Sequence, residues 1–396
     1  MLTNRVVRCY RRTAVLAVAG LLALAMPACG AGKAGGDTTS GEATGPSSAA
    51  IDDAKAIIEQ YSAPVTKFPK VAPVADTTGL AGKSVWYVPI SMAPPAFQVY
   101  ADSLTKALSH LDVHVHVCDG KFVPTAIAAC LEQAGSSGAD AVVTGYVDYV
   151  LASHAVDALV DKGVKVLLGG AALPSGRHNT ETLAFHDTID QQLLGQELTA
   201  SALIADSGGK ANILYIGTSD TRTIQATGDH AVKYLGEKCP DCKVTRINYN
   251  SASLDKLPSQ VSAALIKEPN TNYIFAVLDT AIPPAIAGAR AAGFEKKVKI
   301  GGMGGDLAVL QGIAGGGPEF ATAGSFLSYT SWLFADDVVR MLAGQAPADK
   351  GLPVPYRLFT KADVAGLALT PKGYASMEWY GSDAYKEQFL TAWGAK

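Results

Sequence analysis

The chain has 396 residues, of which 48% are hydrophobic, so it is long enough for two domains that each bury a core. Its formal net charge is -3. Residues 1–28 hold four arginines and no acidic residue, and the rest of the chain has 29 basic against 36 acidic residues. A mildly acidic chain without a basic run excludes nucleic acid as the expected partner.

Residues 1–28 have the order of an export signal: arginines within residues 5–12, then the apolar residues 13–26. The following Ala28 and Cys29 resemble a bacterial lipobox, in which the cysteine is lipidated. An ordinary secretory signal cleaved nearby is the alternative. Residues 29–50, rich in glycine, alanine, serine and threonine, predict a flexible tether. We therefore expect an exported protein, anchored through Cys29 to the outer face of the cytoplasmic membrane.

Four cysteines remain after Cys9 and Cys29, an even number that suits an oxidising compartment. Proximity along the chain predicts two disulfides, Cys118 with Cys130 and Cys239 with Cys242. The alternatives for the second pair are a redox CxxC or half of a zinc site. The pair follows a predicted helix and precedes a predicted strand, whereas a redox pair is expected after a strand.

Metal binding has little support in the sequence. No second CxxC and no paired histidines complete a zinc site around Cys239 and Cys242. His114 and His116 share one face of a predicted strand but have no third ligand at a useful spacing. We expect no metal and no other cofactor.

Short apolar strands alternate with helices through most of the chain. Residues 51–61 predict an amphipathic helix, and residues 62–82 an extended segment with three prolines. The first βα series has strands at 85–90, 113–117, 141–144 and 165–168 and helices at 97–111, 125–134 and 153–162. Such alternation predicts a parallel sheet covered on both faces, with its loops on one edge.

A second series follows the polar residues 174–181. Its helices are predicted at 190–205, 224–237, 257–267 and 282–292, and its strands at 212–216, 243–249, 273–277 and 298–300. Three further elements are predicted, namely a strand at 320–329, a helix at 332–342 and a strand at 356–359. They are too few for a third domain. They are expected to complete the two sheets, which requires the chain to cross between lobes more than once.

Several weak motifs in this order resemble one family. They are VWYVPISMAPPAF (85–97), GADAVVTGYVD (138–148), GKANILYIGTSDTR (209–222), NYIFAVLDTA (272–281) and VKIGGMGGD (298–306). Together they resemble the type I periplasmic solute-binding proteins of sugar-class ABC importers. The resemblance implies an α/β fold of two doubly wound, Rossmann-like parallel-sheet lobes, joined by a three-segment hinge and closing on a ligand.

With this resemblance the chain divides into an expected series of segments. They are a signal peptide (1–28), a tether (29–50), an N-terminal helix and extended segment (51–82), an N-terminal lobe (83–176 plus 327–346), a C-terminal lobe (177–326 plus 350–361) and a C-terminal extension (362–396). The extension is aromatic-rich and is expected to pack on a lobe, with a lid across the cleft as the alternative.

The resemblance also implies pocket positions in the N-terminal lobe. Phe97 matches the aromatic residue that stacks on a sugar ring, and Ser91 matches the polar residue before it. Met92 and Pro95 lie in the same loop, and Tyr146 follows a later strand. Ala171 lies where sugar binders place a charged pair.

In the C-terminal lobe, Arg222 and Gln225 are the candidates for the pocket arginine of the family. Asp279 keeps a helix-capping position, while the usual amide before it is Leu278. The family's sugar-binding carboxylate is replaced around Gly304, and Asp306 stands two residues later. The residue that crosses the hinge falls at Ser325 or Phe326.

These replacements predict a pocket less polar than a sugar site, because buried polar groups need partners and few remain. The resemblance implies a monomeric, non-enzymatic lipoprotein that delivers a small molecule to an ABC permease. The ligand is expected to be less polar than a simple monosaccharide. The alternative is a membrane-tethered sensor with the same fold.

Overall fold

Eleven β-strands form two separate sheets in the computed structural model, which describes residues 46–395. The strands are β1 (Ser84–Pro89), β2 (His114–Val117), β3 (Ala141–Gly145), β4 (Lys165–Gly169), β5 (Leu183–His186), β6 (Asn212–Thr218), β7 (Lys243–Tyr249), β8 (Tyr273–Ala276), β9 (Lys299–Met303), β10 (Glu319–Ser325) and β11 (Tyr356–Thr360). The predicted signal peptide, Cys29 and most of the tether lie outside the described residues.

Thirteen α-helices surround these sheets within the same described residues. They are α1 (Pro46–Ser62), α2 (Pro95–Ser109), α3 (Pro124–Ser136), α4 (Tyr149–Asp161), α5 (Ile189–Ser207), α6 (Arg222–Lys238), α7 (Leu257–Lys267), α8 (Ile282–Ala291), α9 (Leu307–Gly315), α10 (Leu327–Leu342), α11 (Lys361–Val364), α12 (Pro371–Ser376) and α13 (Tyr385–Trp393). Within residues 46–395, no helix is both long enough and apolar enough to span a bilayer.

The two sheets define two lobes. The first has the order β2-β1-β3-β4-β5 with every pairing parallel, and the second has the order β11-β10-β9-β8-β6-β7. Only β11 in the second sheet runs antiparallel to its neighbour. The central strands are apolar and almost completely buried, as expected for parallel sheets covered on both faces. The predicted two-lobed α/β fold is confirmed.

The main chain crosses between the lobes three times from β1 to β11. It leaves the first sheet after β5, returns to the first lobe through α10, and enters the second sheet again as β11. α10 packs against α2 and β4 of the first lobe, although it follows a strand of the second. This path confirms the predicted three-segment hinge.

One lobe boundary and one strand boundary differ from the predictions. β5 pairs with β4 in the first sheet, so the first crossing comes after His186 and not at residue 176. This four-residue strand was missed because it is short and follows a polar turn. The chain is already helical from Leu327, whereas a strand was predicted to continue to residue 329. The residues at the start of α10 are buried on all sides of the helix. Their sequence therefore lacks the alternation of apolar and polar residues that marks a helix with one exposed face.

The predicted tether also ends earlier than residue 50. α1 begins at Pro46, since proline suits the first turn of a helix and the alanines that follow favour one. α1 packs on α5 and β11 of the second lobe, where Ala54 is buried.

The residues between α1 and β1 run from the second lobe to the first. The Ser62 carbonyl oxygen accepts a 2.7 Å hydrogen bond from Arg357 Nε in β11. Further along, Arg340 in α10 donates to the Ala72 carbonyl oxygen, and Val74 N donates to the Ala392 carbonyl oxygen at 2.8 Å. This extended segment therefore contacts both lobes.

The C-terminal extension follows a similar course. Gln311 in α9 donates to the Leu369 carbonyl oxygen, and Tyr374 in α12 donates to Asp306, both in the second lobe. α13 then packs on α10 of the first lobe, where Trp393 stacks on Trp332 with ring centroids 5.6 Å apart. The extension thus packs on the protein, as expected. Four aromatic residues of the extension form one aromatic cluster with four residues from earlier in the chain. The cluster consists of Tyr380, Tyr385, Phe389 and Trp393 from the extension and Phe68, Phe326, Tyr329 and Trp332 from the rest.

Both predicted cysteine pairs are disulfide-bonded. Cys118 follows β2 and joins Cys130 on α3, and Cys239 follows α6 and joins Cys242 before β7. The second pair closes the connection between a helix and the next strand, which agrees with a structural role. His114 and His116 are exposed on the edge strand β2. No group of three metal-ligating side chains occurs among the residues that the structure describes.

Replacing Cys118 and Cys130 with alanine is expected to lower the free energy of unfolding by about 3 kcal/mol, and replacing Cys239 and Cys242 by about 2 kcal/mol. The difference follows from the sequence separations of 12 and 3 residues, because the longer loop restricts the unfolded chain more. Urea denaturation of the two double variants without reductant measures both values. A larger loss for the Cys239–Cys242 pair would contradict this expectation.

Candidate functional site

A cavity of about 180 Å³ lies between the two lobes. Most of its lining comes from residues that end strands or lie in the segments after them, in both sheets. These residues are Ile90, Pro94, Ala96, Phe97, Tyr100, Phe122, Tyr146, Asp148, Gly170, Gln192, Asp220, Thr221, Thr223, Ile224, Ser251, Leu278, Asp279, Thr280, Met303, Gly304, Asp306, Ser325, Leu327 and Tyr356. The carboxyl ends of parallel strands are where open α/β sheets bind ligands.

The first lobe contributes an aromatic wall, which consists of Phe97, Tyr100 and Tyr146. Pro95 begins α2, and its fixed backbone suits the first helical position, so Phe97 lies in the first turn facing the cavity. Tyr100 is one helical turn later on the same face. The Phe97 and Tyr146 rings meet edge to face with centroids 6.0 Å apart, and the Tyr100 and Tyr146 hydroxyl oxygens are 2.7 Å apart.

Tyr146 has an unusual backbone that aims its side chain at this wall. Its φ of 58° lies in the left-handed region, which non-glycine residues rarely adopt. Gly170 makes room for the ring, because a Cβ at Gly170 would come within 2.6 Å of Tyr146 ring carbons. The glycine-rich segment that replaces the family's charged pair therefore accommodates an aromatic side chain. Burial raises the pKa of the Tyr146 hydroxyl well above its usual value, so it stays neutral.

Asp148 joins the lobes across the cavity. It lies in the first lobe at the start of α4, and it is buried. Its carboxylate accepts hydrogen bonds from Arg222 N at 2.7 Å, Thr223 N at 3.2 Å and Thr223 Oγ1 at 2.6 Å, all at the first turn of α6 in the second lobe. A carboxylate at a helix N-terminus satisfies free amide groups and the helix dipole, so this contact stabilises the closed arrangement.

Replacing Asp148 with alanine is expected to open the ligand-free protein and to weaken ligand binding roughly tenfold or more, because three charge-assisted hydrogen bonds between the lobes are lost. Small-angle X-ray scattering measures the radius of gyration, and calorimetry measures the affinity.

The matched control is Asp140→Ala. Asp140 accepts comparable hydrogen bonds from Ser84 N and Lys83 Nζ, but within the first lobe. This variant is expected to lose stability while keeping the wild-type radius of gyration. An unchanged radius in the Asp148 variant would show that the contact does not control closure.

A pair of carboxyl groups, Asp279 and Asp306, belongs to the second-lobe wall of the cavity. Asp279 Oδ2 accepts hydrogen bonds from Asp306 N at 3.0 Å and Thr322 Oγ1 at 2.7 Å, whereas Asp279 Oδ1 is buried with no partner among the described residues. Burial, with the neighbouring Asp306 carboxylate, raises the pKa of Asp279 to about 8. Burial also raises the pKa of Asp306 to about 6.

Small residues allow Asp279 to be buried. A Cβ at Gly302 would come within 2.5 Å of Asp279 Oδ1, and one at Gly304 within 3.0 Å of the Asp279 Cβ. Tyr374 OH donates to Asp306 Oδ1 at 3.3 Å from the C-terminal extension. The glycines that replace the family's Gly-Phe-Asp-Gly therefore bring the backbone close to Asp279 and leave Asp306 at the start of α9.

The structure brings six of the predicted ligand-binding residues to the cavity. They are Phe97, Tyr146, Asp279, Gly304, Asp306 and Ser325. Their roles in binding stay predictions, since the geometry shows only that they line one space.

The other predicted residues lie away from the cavity lining. Ser91, Met92, Pro95 and Ala171 belong to the strand-end segments of the first lobe but do not line the cavity. Ser91 and Ala171 are buried in the fold, and Pro95 is exposed.

The remaining three differ from their expected places for different reasons. The Arg222 side chain is exposed, and its backbone N bonds to Asp148. Gln225, on α6, donates to the Ser219 carbonyl oxygen in the loop before that helix. Phe326 is buried in the aromatic cluster against Tyr380, with centroids 5.8 Å apart.

Several cavity residues were not predicted. Tyr100 could have been found from its position one helical turn after Phe97, and Asp148 from its place three residues after β3. Tyr356 begins the antiparallel strand β11, so it reaches the same edge from the opposite direction. The sequence carries no signal for that direction.

Comparison with known proteins agrees with this geometry. Residues 87–346 match a family model described as a periplasmic binding protein domain. A comparison with curated proteins finds no match.

Among solved structures, similarity is found to a 5-methylthioribose transporter solute binding protein from Thermotoga lettingae (TM-score 0.66, 15% identity, covering 81% of this chain and 99% of that one). A Caulobacter myo-inositol binding protein has a TM-score of 0.61 at 18% identity, covering 75% of this chain and 98% of its own. A sugar ABC transporter protein from Yersinia enterocolitica has a TM-score of 0.64 at 15% identity, covering 82% and 98%. These similarities support the type I periplasmic binding fold.

Proposed function

We propose that this chain, which belongs to the periplasmic binding protein domain family, captures a small solute between its lobes and delivers it to an ABC import permease. The observation that carries the proposal is the cavity formed by strand ends of both lobes, with Asp148 bonded across it to α6. Membership in a family of binding proteins also agrees with the expectation that the chain is not an enzyme.

Capture in this geometry is a shift between open and closed arrangements. A ligand that contacts both the aromatic wall and the Asp279–Asp306 pair makes its full set of contacts only when the lobes are together, so binding favours closure. The three hinge crossings keep the lobes connected during this movement. A permease can then distinguish the loaded protein by its closed shape.

The proposed cellular setting follows from the N-terminal sequence. Export by residues 1–28 and lipidation of Cys29 would hold the protein at the outer face of the cytoplasmic membrane, where a permease is accessible. We propose a monomer, because one chain supplies both walls of the cavity.

The ligand is proposed to be less polar than a simple monosaccharide. The cavity presents aromatic and aliphatic side chains, including Phe97, Ile224 and Leu278, beside its polar groups, and two of its four aspartates are already bonded within the protein. Calorimetric titration with ribose, glucose and xylose is expected to show no tight binding. Submicromolar binding of any of these sugars would contradict the proposed polarity but not solute capture.

Capture itself is tested with the natively purified protein. Mass spectrometry of the small molecules released on unfolding is expected to identify a solute whose return raises the unfolding temperature and reduces the radius of gyration. Deletion of the gene is then expected to abolish uptake of that solute. Uptake that continues unchanged, with binding intact, would favour the membrane-tethered sensor.

A further inference from the structure

The charged side chains of the cavity lining, among the described residues, are all acidic. Within residues 46–395, the lining contains four aspartates, Asp148, Asp220, Asp279 and Asp306, and no lysine, arginine or histidine. Arg222, which the family resemblance placed here, has an exposed side chain outside the lining. Buried carboxylates are costly unless a positive charge or several donors accompany them.

Two of the four carboxylates have their partners within the protein. Asp148 accepts three hydrogen bonds from the start of α6. Asp220 accepts hydrogen bonds from Ser251 N at 2.8 Å and Ser251 Oγ at 2.5 Å. Neither needs a ligand to satisfy its charge.

The other two are satisfied less completely. Asp279 Oδ2 accepts hydrogen bonds from Asp306 N and Thr322 Oγ1, but Asp279 Oδ1 is buried without a hydrogen bond among the described residues. Asp306 accepts one hydrogen bond of 3.3 Å from Tyr374. The titratable groups around the pair are Tyr374 and Tyr380. Burial raises the pKa of both hydroxyls and keeps them neutral, and a tyrosine is never positively charged, so neither supplies a counter-charge. The pair therefore lacks a counter-charge within the protein.

The opposite side of the cavity offers a surface that suits a cation. The aromatic wall presents π-systems, and aromatic faces attract ammonium groups while also contacting apolar carbon atoms. Because the raised pKa keeps Asp279 protonated near neutral pH, the charge of the pair lies on Asp306. A neutral sugar would leave that charge without a counter-charge, and an anionic ligand would be repelled by it.

We propose that the solute is a small organic cation, with a protonated amine or quaternary ammonium group between the Asp279–Asp306 pair and the aromatic wall. This inference rests on the proposed function, because it names the chemical class of the solute that the lobes enclose. It also refines the proposed polarity, because the solute would carry one charged group on an otherwise weakly polar body, unlike the 5-methylthioribose and myo-inositol named for two similar structures.

The test separates solutes by charge before it identifies them. A small-molecule extract of the natural host and its growth medium is fractionated on ion exchangers at pH 6 into cationic, neutral and anionic pools. Each pool is added to protein freed of solute by dialysis, and the unfolding temperature is measured. Stabilisation by the cationic pool is expected.

The other outcomes have separate meanings. Stabilisation confined to the neutral or the anionic pool overturns the cation inference and leaves solute capture intact. Stabilisation by none of the three pools overturns the proposed function, and the inference falls with it.

The solute purified from the active pool then tests the residues. Asp279→Asn is expected to weaken its binding at least tenfold, and to abolish a release of protons that calorimetry detects by comparing phosphate with Tris buffer at pH 7.5. The control is Asp363→Asn, a second-lobe carboxylate outside the cavity lining that bonds to Thr360 N and Oγ1. It is expected to bind within twofold of wild type. Equal affinity of Asp279→Asn and wild type would overturn the assignment.

Discussion

Replacing Trp332 with alanine is expected to lower the free energy of unfolding by about 3–5 kcal/mol, the usual cost of removing a large buried aromatic side chain. Trp332 is 1% exposed and lies on α10, at the contact between the first lobe and the C-terminal extension. It stacks on Trp393 with an interplanar angle of 7°. Trp393 Nε1 on α13 in turn donates a 2.8 Å hydrogen bond to Asp336 Oδ1 on α10. Loss of the ring therefore leaves a void between α10 and α13.

A double-mutant cycle with Trp393→Ala measures how far the extension depends on this contact. We expect the two substitutions to be less than additive by about 1 kcal/mol, because each already removes the stacking. Val150→Ala on the exposed face of α4 is the control, with an expected change within about 0.5 kcal/mol. A loss below about 1 kcal/mol for Trp332→Ala in urea denaturation would show that the extension is peripheral to the fold.

The solute-free protein is expected to lose stability as the pH rises from about 4 to about 8. Burial raises the pKa of Asp279 to about 8, so the folded chain binds that proton more tightly than the unfolded chain, whose carboxyl has its ordinary value of 3.8. The stabilisation is complete below the unfolded pKa, and it disappears as the pH rises through the folded value. Asp306, raised to about 6, acts in the same direction.

Asp279→Asn isolates this contribution, because an amide resembles the protonated carboxyl and does not titrate. At pH 8.5 the variant is expected to be more stable than wild type by on the order of 2–4 kcal/mol, whereas near pH 4.5 the two should differ little. Urea denaturation from pH 4.5 to 8.5 provides the comparison. Parallel curves for the two proteins would contradict the raised pKa.

The order of elements could be predicted because the parallel strands are buried on both faces. Residues such as Val85, Val142 and Ile274 lie in short apolar runs between helices, and this pattern marks the strands without any tertiary knowledge. β5 and the start of α10 were less predictable, because a four-residue strand and a helix buried on all sides lack a clear period.

The site was predictable only in part. Asp279 and Asp306 lie three residues after strands, and Phe97 lies in the first turn of the helix that follows β1, so the sequence places them at the ligand-binding edge. The inter-lobe role of Asp148 depends on α6 lying opposite β3 in the folded molecule, and the burial of Phe326 depends on an extension more than fifty residues later. Contacts between distant segments have no local signature.

The opposite attachments of the first and last helices have a practical consequence. α1 packs on the second lobe and α13 on the first, and both carry exposed positions, for example Glu59 and Thr391. A donor dye at one position and an acceptor dye at the other would be attached to helices that pack on different lobes. Energy transfer between them would then report opening and closing in real time, with no label inside the cavity.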